Sequence, residues 1–200
     1  MKTEILFPEV ANLCGDLMNV TYLRQCCPEM EVVETGLKDR PAFPDGGVDL
    51  VYVGSATERG LQLMVQALTP YRAELERYVD GGGLMLATGN ALDALGEYVV
   101  IDGKRAFDGL GILKTHAEYH MMKRHNSFLL GSFQDMEIVG FKSLFGHTYP
   151  NSELTDALFR VERGVGRHPG TYAEGFRRGG LMATYLIGPL LPLNPPFTRY

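Results

Sequence analysis

Apolar and polar stretches alternate along this chain in two different ways, and the change comes near its middle. In the first half, short apolar runs are separated by segments of helical spacing. Thr3–Phe7 predicts a strand, and Leu17, Val20, Tyr22 and Leu23 line one face of a helix over Asp16–Gln25 that ends before Pro28. Glu31–Thr35 predicts a second strand. A Pro- and Gly-rich loop runs from Gly36 to Gly47. Asp49–Val53 is then an unbroken apolar run, the pattern of a parallel strand buried on both faces. A helical region from Glu58 to Tyr78 is divided by Pro70. Gly81-Gly82-Gly83 lead into another apolar strand, a tight turn at Ala87-Thr88-Gly89 and a helical pattern over Asn90–Leu95.

The second half is β-rich. Tyr98–Ile101 followed by Asp102-Gly103 signals a hairpin. Further β-type runs lie at Ile112–Thr115, Ser127–Phe133, Glu137–Phe141 and Leu158–Val161, with turns expected at Gly131, Gly146 and Gly164. Gly180–Leu186 is a last strand that delivers its end to Ile187-Gly188-Pro189. The pattern predicts an α/β fold with a mostly parallel sheet, flanking helices and added antiparallel strands, in one domain over 1–200. Loops of a doubly wound sheet converge on one edge, so Gly54, Ala87 and Ile187 are expected in a single crevice.

Composition narrows the function classes. Two hundred residues, 45% of them hydrophobic, suffice for a substantial core. A formal net charge of -5 disfavours a nucleic-acid binder, and Lys123-Arg124-His125 and Arg177-Arg178 are too short to be more than solvated charges. No apolar run reaches the ~18 residues of a membrane span. Met1–Phe7 turns polar before a secretory segment forms, so a cytoplasmic, reducing location is expected. Cys26 and Cys27 read as packing residues. His116, His120 and His125 form no compact ligand motif, so neither metal nor cofactor is expected.

The chemistry centres on Gly83-Leu84-Met85-Leu86-Ala87-Thr88-Gly89-Asn90-Ala91. Strand, sharp turn and helix make the geometry of a nucleophile elbow, which lifts one side chain over the carboxyl end of a sheet. With the apex placed at Ala87, the side chain there can neither attack nor be activated.

Several segments together resemble the class I glutamine amidotransferases of the cobyric acid synthase type, and among them the glutaminase subunits of lipid II isoglutaminyl synthase. They are Asn19–Gln25, Val53–Arg59, Gly83–Gly89, Phe107–Leu113, Ile138–Phe141, His147–Tyr149 and Ala183–Pro189. The resemblance implies a flavodoxin-like fold in which an elbow Cys attacks the glutamine amide and a His on the last strand moves its proton, releasing ammonia. Carried over residue by residue, it implies that this chemistry is lost. The Cys position is Ala87, the His position Ile187, and the Gln four residues beyond the Cys is Ala91. In the Gly-aromatic-Glu-x-His-x-Gly segment the Glu is Lys142 and the His is Leu144, and the glycine-rich oxyanion turn is thinned to Gly54-Ser55-Ala56. Lys123 or Arg124 stands where a basic residue clamps the substrate carboxylate. Losses spread over separate loops exceed what one trapping substitution explains.

The expected function is therefore a non-catalytic docking or regulatory partner of a Mur-ligase-like or cobyric-acid-synthase-like amidating enzyme. An enzyme is the second reading, either an active amidotransferase whose nucleophile stands elsewhere in the chain or a hydrolase using Thr88 or Cys14. A small-molecule binding protein with an apolar crevice is a third.

Overall fold

In the computed structural model, which describes residues 1–152 and 156–200, the first half is built as its pattern predicts. It runs β1 (Lys2–Leu6), α1 (Met18–Cys26), β2 (Glu31–Thr35), β3 (Leu50–Val53), α2 (Glu58–Leu68), α3 (Arg72–Asp80), β4 (Leu84–Thr88) and α4 (Ala91–Ala94). Pro70 sits in a 3₁₀ turn, Thr69–Tyr71, that separates α2 from α3, because a proline in mid-helix would leave a carbonyl unpaired. The second half continues with β5 (Tyr98–Ile101), β6 (Lys104–Asp108), β7 (Thr115–Tyr119), β8 (His125–Phe133), β9 (Met136–Leu144) and β10 (Gly146–Pro150). It ends with β11 (Phe159–Arg163), β12 (Ala173–Glu174), β13 (Phe176–Arg178), β14 (Leu181–Thr184), α5 (Leu190–Leu193) and α6 (Pro195–Arg199).

The central sheet has the order β13-β14-β4-β3-β1-β2, with every neighbouring pair parallel except β13–β14. Its strands feed two separate cores in strict alternation. Val51, Val53, Met85 and Ala87 enter one cluster with residues of α2, α3 and α4. Leu50, Tyr52 and Leu86 enter the other, with residues of α1, α5, β8 and β11. Burial on both faces is why these strands read as continuous apolar runs. Two smaller sheets complete the fold: β10-β7-β5-β6, and the antiparallel β12-β11-β8-β9 that covers the α1 side. The hairpin at Asp102-Gly103 is present, with both residues in the left-handed region (φ 47° and 79°) that its two-residue turn requires.

Several expectations shift. Ile112 and Leu113 are buried in a loop, and the strand begins only at Thr115, so their apolar character serves the core without a ladder. Gly131 lies inside β8. A Cβ there would stand 2.3 Å from the Arg160 carbonyl of the neighbouring strand, so the residue marks close backbone approach and not a turn. Gly146 opens β10. Cys26 and Cys27 are exposed at the end of α1 instead of packing. No helix among the described residues is long and apolar enough to cross a membrane.

Candidate functional site

The loops that leave the carboxyl ends of β1, β3, β4 and β14 meet over the sheet edge, as the doubly wound topology demands. They enclose a crevice of about 230 Å³ lined by Cys14, Ser55, Ala56, Gly89, Tyr185 and Ile187. Arg124, Leu144 and Phe145 close it from the side of the smaller sheets.

Ala87 is not among the lining residues. It is the fourth residue of β4, it pairs in register with Val53 and Ala183, and its methyl is fully buried in the core beneath α2 and α4. The strand runs on through Thr88, and the residue that turns the chain into the left-handed region is Gly89, at φ +59°. The apex of the elbow is thus two residues beyond the position expected from sequence. At this apex a Cβ would lie 2.4 Å from the Ser55 Cβ and 3.2 Å from the Ile187 Cγ2. Gly89 and Ile187 consequently face each other across the crevice. Ala91, at 1% exposure, points into the core beside Leu92 and lines nothing.

The surrounding backbone is already bonded. The Ser55 N–H donates to Asp16 Oδ2 at 2.8 Å, and the Ala56 N–H donates to Asn90 Oδ1 at 2.9 Å. Asn90 answers by donating Nδ2 to the Ala56 carbonyl at 2.8 Å, so one side chain clasps the loops after β3 and β4 together. Ser55 adds a second clasp to the loop after β1, its Oγ donating to the Leu13 carbonyl and its carbonyl accepting from the Leu13 N–H. Gly54 lies under this stitching, where a Cβ would stand 2.4 Å from the Ala11 carbonyl. The Ser55 and Ala56 amides of this turn are therefore spent on side chains.

Thr88, an alternative nucleophile, is fully buried behind the crevice, and its hydroxyl donates to Asp16 Oδ2 at 2.7 Å. Burial raises the Asp16 pKa, while the Thr88 and Ser55 hydrogen bonds pull it back down. Cys14 does reach the crevice. Its thiol is exposed and its backbone is left-handed (φ +62°), yet no histidine lines the cavity beside it.

A second polar group, unforeseen from sequence, lies beneath the crevice wall. Asp93 on α4 is 1% exposed and accepts from Tyr119 at 2.6 Å and Tyr185 at 2.7 Å, with Thr148 also donating to it. Burial pushes its pKa up to about 6, against the downward pull of those hydroxyls, and the phenols of Tyr119 and Tyr185 are driven well above their ordinary value by the same burial.

The remaining predicted residues divide between two places. Arg124 lines the crevice, bonds the Ser143 hydroxyl at 3.1 Å and lies over the Phe145 ring, whereas Lys123 lines neither the crevice nor the cavity beside it. Leu144 separates the crevice from a second cavity, and Lys142 belongs to that second cavity, paired with Glu174 at 3.0 Å. His116 stacks between Tyr98 and Tyr149 and approaches Asn151. No three His, Cys, Asp or Glu side chains converge on a metal position among the described residues.

Comparison with known proteins gives this geometry its context. Two curated relatives are each described as the lipid II isoglutaminyl synthase (glutamine-hydrolyzing) subunit GatD. That of Staphylococcus aureus is 28% identical over 194 residues, covering 94% of this chain and 77% of its own length. That of Streptococcus pneumoniae is 21% identical over 197 residues, covering 94% and 74%. The chain is a class I glutamine amidotransferase-like protein. A crystal structure of a glutamine amidotransferase superposes with a TM-score of 0.63 at 15% identity, covering 98% of this chain and 95% of the other. A second, from Thermotoga maritima, gives 0.59 at 9% identity, covering 93% and 75%. Both share the fold of this amidotransferase-like chain. No family model matches it.

Proposed function

We propose that this amidotransferase-like chain has no glutaminase activity and acts as a docking or regulatory subunit of an amidating enzyme with a Mur-ligase-like or related synthetase partner. The observation that carries the reading is the pairing of Gly89 with Ile187. The apex residue has no side chain, the residue facing it is aliphatic, and the Ser55 hydroxymethyl group fills the space a nucleophile would need. If the apex is the nucleophile position, the Gln expected four residues on falls at Asp93, which is held by tyrosines beneath the wall. Loss of even one member of a nucleophile–base pair removes several orders of magnitude in rate, and here both are gone. The scaffold that surrounds them persists, as does the likeness to proteins described as subunits.

Ammonia release from glutamine, measured with and without the Mur-ligase-like chain, tests the first half of the reading. No turnover above background is expected in either mixture. Co-elution with that ligase at micromolar concentration tests the second, and two separate peaks would sink it. The exposed Cys14 thiol in the crevice supports one competing reading, in which it serves as a relocated nucleophile. Turnover that vanishes in the Cys14→Ser variant would establish that alternative.

A further inference from the structure

The second cavity, of about 250 Å³, lies where the two smaller sheets meet and is lined by His125, Ser127, Lys142, Leu144, His147 and Arg124 among others. Its imidazoles are unusual. His125 and His147 stand with ring centroids 4.2 Å apart, and the Nε2 of each is buried without a hydrogen-bond partner. His147 is 7% exposed. Buried polar atoms in folded proteins are nearly always paired, so two orphans lining one cavity ask for an occupant.

The chemistry around them selects its charge. Lys142, 3% exposed, donates to the Gly166 carbonyl and to Glu174, while Arg124 lines the outer side. Glu174 is the carboxylate paired with Lys142, and both its oxygens are committed: Oε2 to Lys142, Oε1 to the Thr184 hydroxyl and the Tyr185 N–H. The groups that face His147 from the elements around it are His125 on β8, Lys142 on β9, and Arg167 and His168 in the segment before β12. The Arg167 carbonyl accepts from the Thr148 N–H. Burial and the positive charge of His125, Lys142 and His168 depress the His147 pKa to about 4. A metal cation would find two nitrogens and repelling lysine and arginine. An anion finds donors.

We propose that this cavity is a binding site for a small oxyanion, a carboxylate or phosphate group, held by the His125 and His147 imidazoles with Arg124 beside it. An anion neutralises the local positive charge, so it binds together with a proton taken up by His147. Affinity then rises by up to about tenfold for each pH unit lowered below the raised midpoint of the bound form, until His147 is protonated in the free protein as well, near pH 4. The site does not depend on the amidotransferase reading and shares only Arg124 and Leu144 with the crevice.

Histidine ring resonances of the full chain, followed during titration with inorganic phosphate or acetate against potassium chloride at matched ionic strength, test the proposal. Millimolar phosphate or acetate is expected to move the His125 and His147 signals, more at ~pH 5 than at ~pH 8, and to raise the His147 midpoint. The His116 and His120 signals stay still. Response to one salt alone identifies whether phosphate or carboxylate is the preferred group. Folded His147→Gln and His125→Gln variants should lose the response. Unmoved His125 and His147 signals with both salts, an unchanged response in both variants, or shifts produced by zinc and not by the anions would each overturn it.

Discussion

A single missing Cβ governs the crevice. At Gly89 the left-handed backbone disfavours any L side chain by ~1–2 kcal/mol, and the 2.4 Å approach to the Ser55 Cβ adds an overpacking penalty of about 1–3 kcal/mol. Gly89→Ala is therefore expected to destabilise the fold by roughly 2–5 kcal/mol in urea titration, and adding Ser55→Gly should return most of the overpacking part. Additive effects of the two substitutions would refute direct contact. Two buried titrating residues also pull stability in opposite directions. Asp93 titrates higher in the fold than in the unfolded chain, so its contribution is complete at low pH and is lost as pH rises toward 6, by about 3 kcal/mol. His147 titrates lower in the fold, so its contribution is complete above ordinary histidine pKa values and is lost as pH falls toward 4. The two slopes oppose each other between these limits. Asp93→Asn should leave a stability that climbs with pH over that window, and His147→Gln one that declines. Parallel profiles for the two variants, read from unfolding midpoints, would contradict both assignments.

At the scale of elements, the strands and helices of the first half were legible because each carries one unambiguous pattern: Glu31–Thr35 is found at its expected bounds and Pro70 marks the break it should. The elbow was legible as strand, turn and helix, but not to the residue. Apolar character continues without a break from Leu84 through Ala87, and only the backbone shows that β4 keeps its pairing through Thr88. The signal that was available is Gly89 itself, the glycine in that turn. Asp93 had a signal too: it is a lone carboxylate inside the apolar pattern Ala91-Leu92-Asp93-Ala94-Leu95, which requires buried partners. Its partners Tyr119, Thr148 and Tyr185 come from β7, β10 and the residue after β14, all distant in sequence, and no local spacing announces them. The Asn90 clasp is likewise a product of convergence. Asn90→Ala leaves the Ala56 N–H and carbonyl unpaired, so it should cost roughly 1–3 kcal/mol and raise amide exchange in the loop after β3 first. Exchange unchanged there would mean that the two loops hold without it.

For the whole molecule, the topology sets what is shared with relatives and what is not. The order β2-β1-β3-β4-β14 brings four loops to one edge in any sequence that folds this way, so the crevice is inherited with the fold. Its chemistry is carried by side chains on those loops and varies independently. A variant combining Gly89→Cys with Ile187→His supplies a thiol and an imidazole, yet the Ser55 side chain still occupies the nucleophile's space and the Ser55 and Ala56 amides remain engaged. No ammonia release is expected from that pair of changes in a coupled glutamate assay. Measurable turnover would show that the loops relax more readily than their bonding indicates.

The close approach of Ser55 to Gly89 also makes the order of mutational steps matter. From the present chain, Ser55→Gly can be accepted first, after which a side chain at position 89 enters vacated space. Taken in the opposite sequence, the route crosses a poorly folded intermediate. A lineage holding this pairing would find the route to an occupied apex narrowed to one direction of travel, whatever advantage lay at its end.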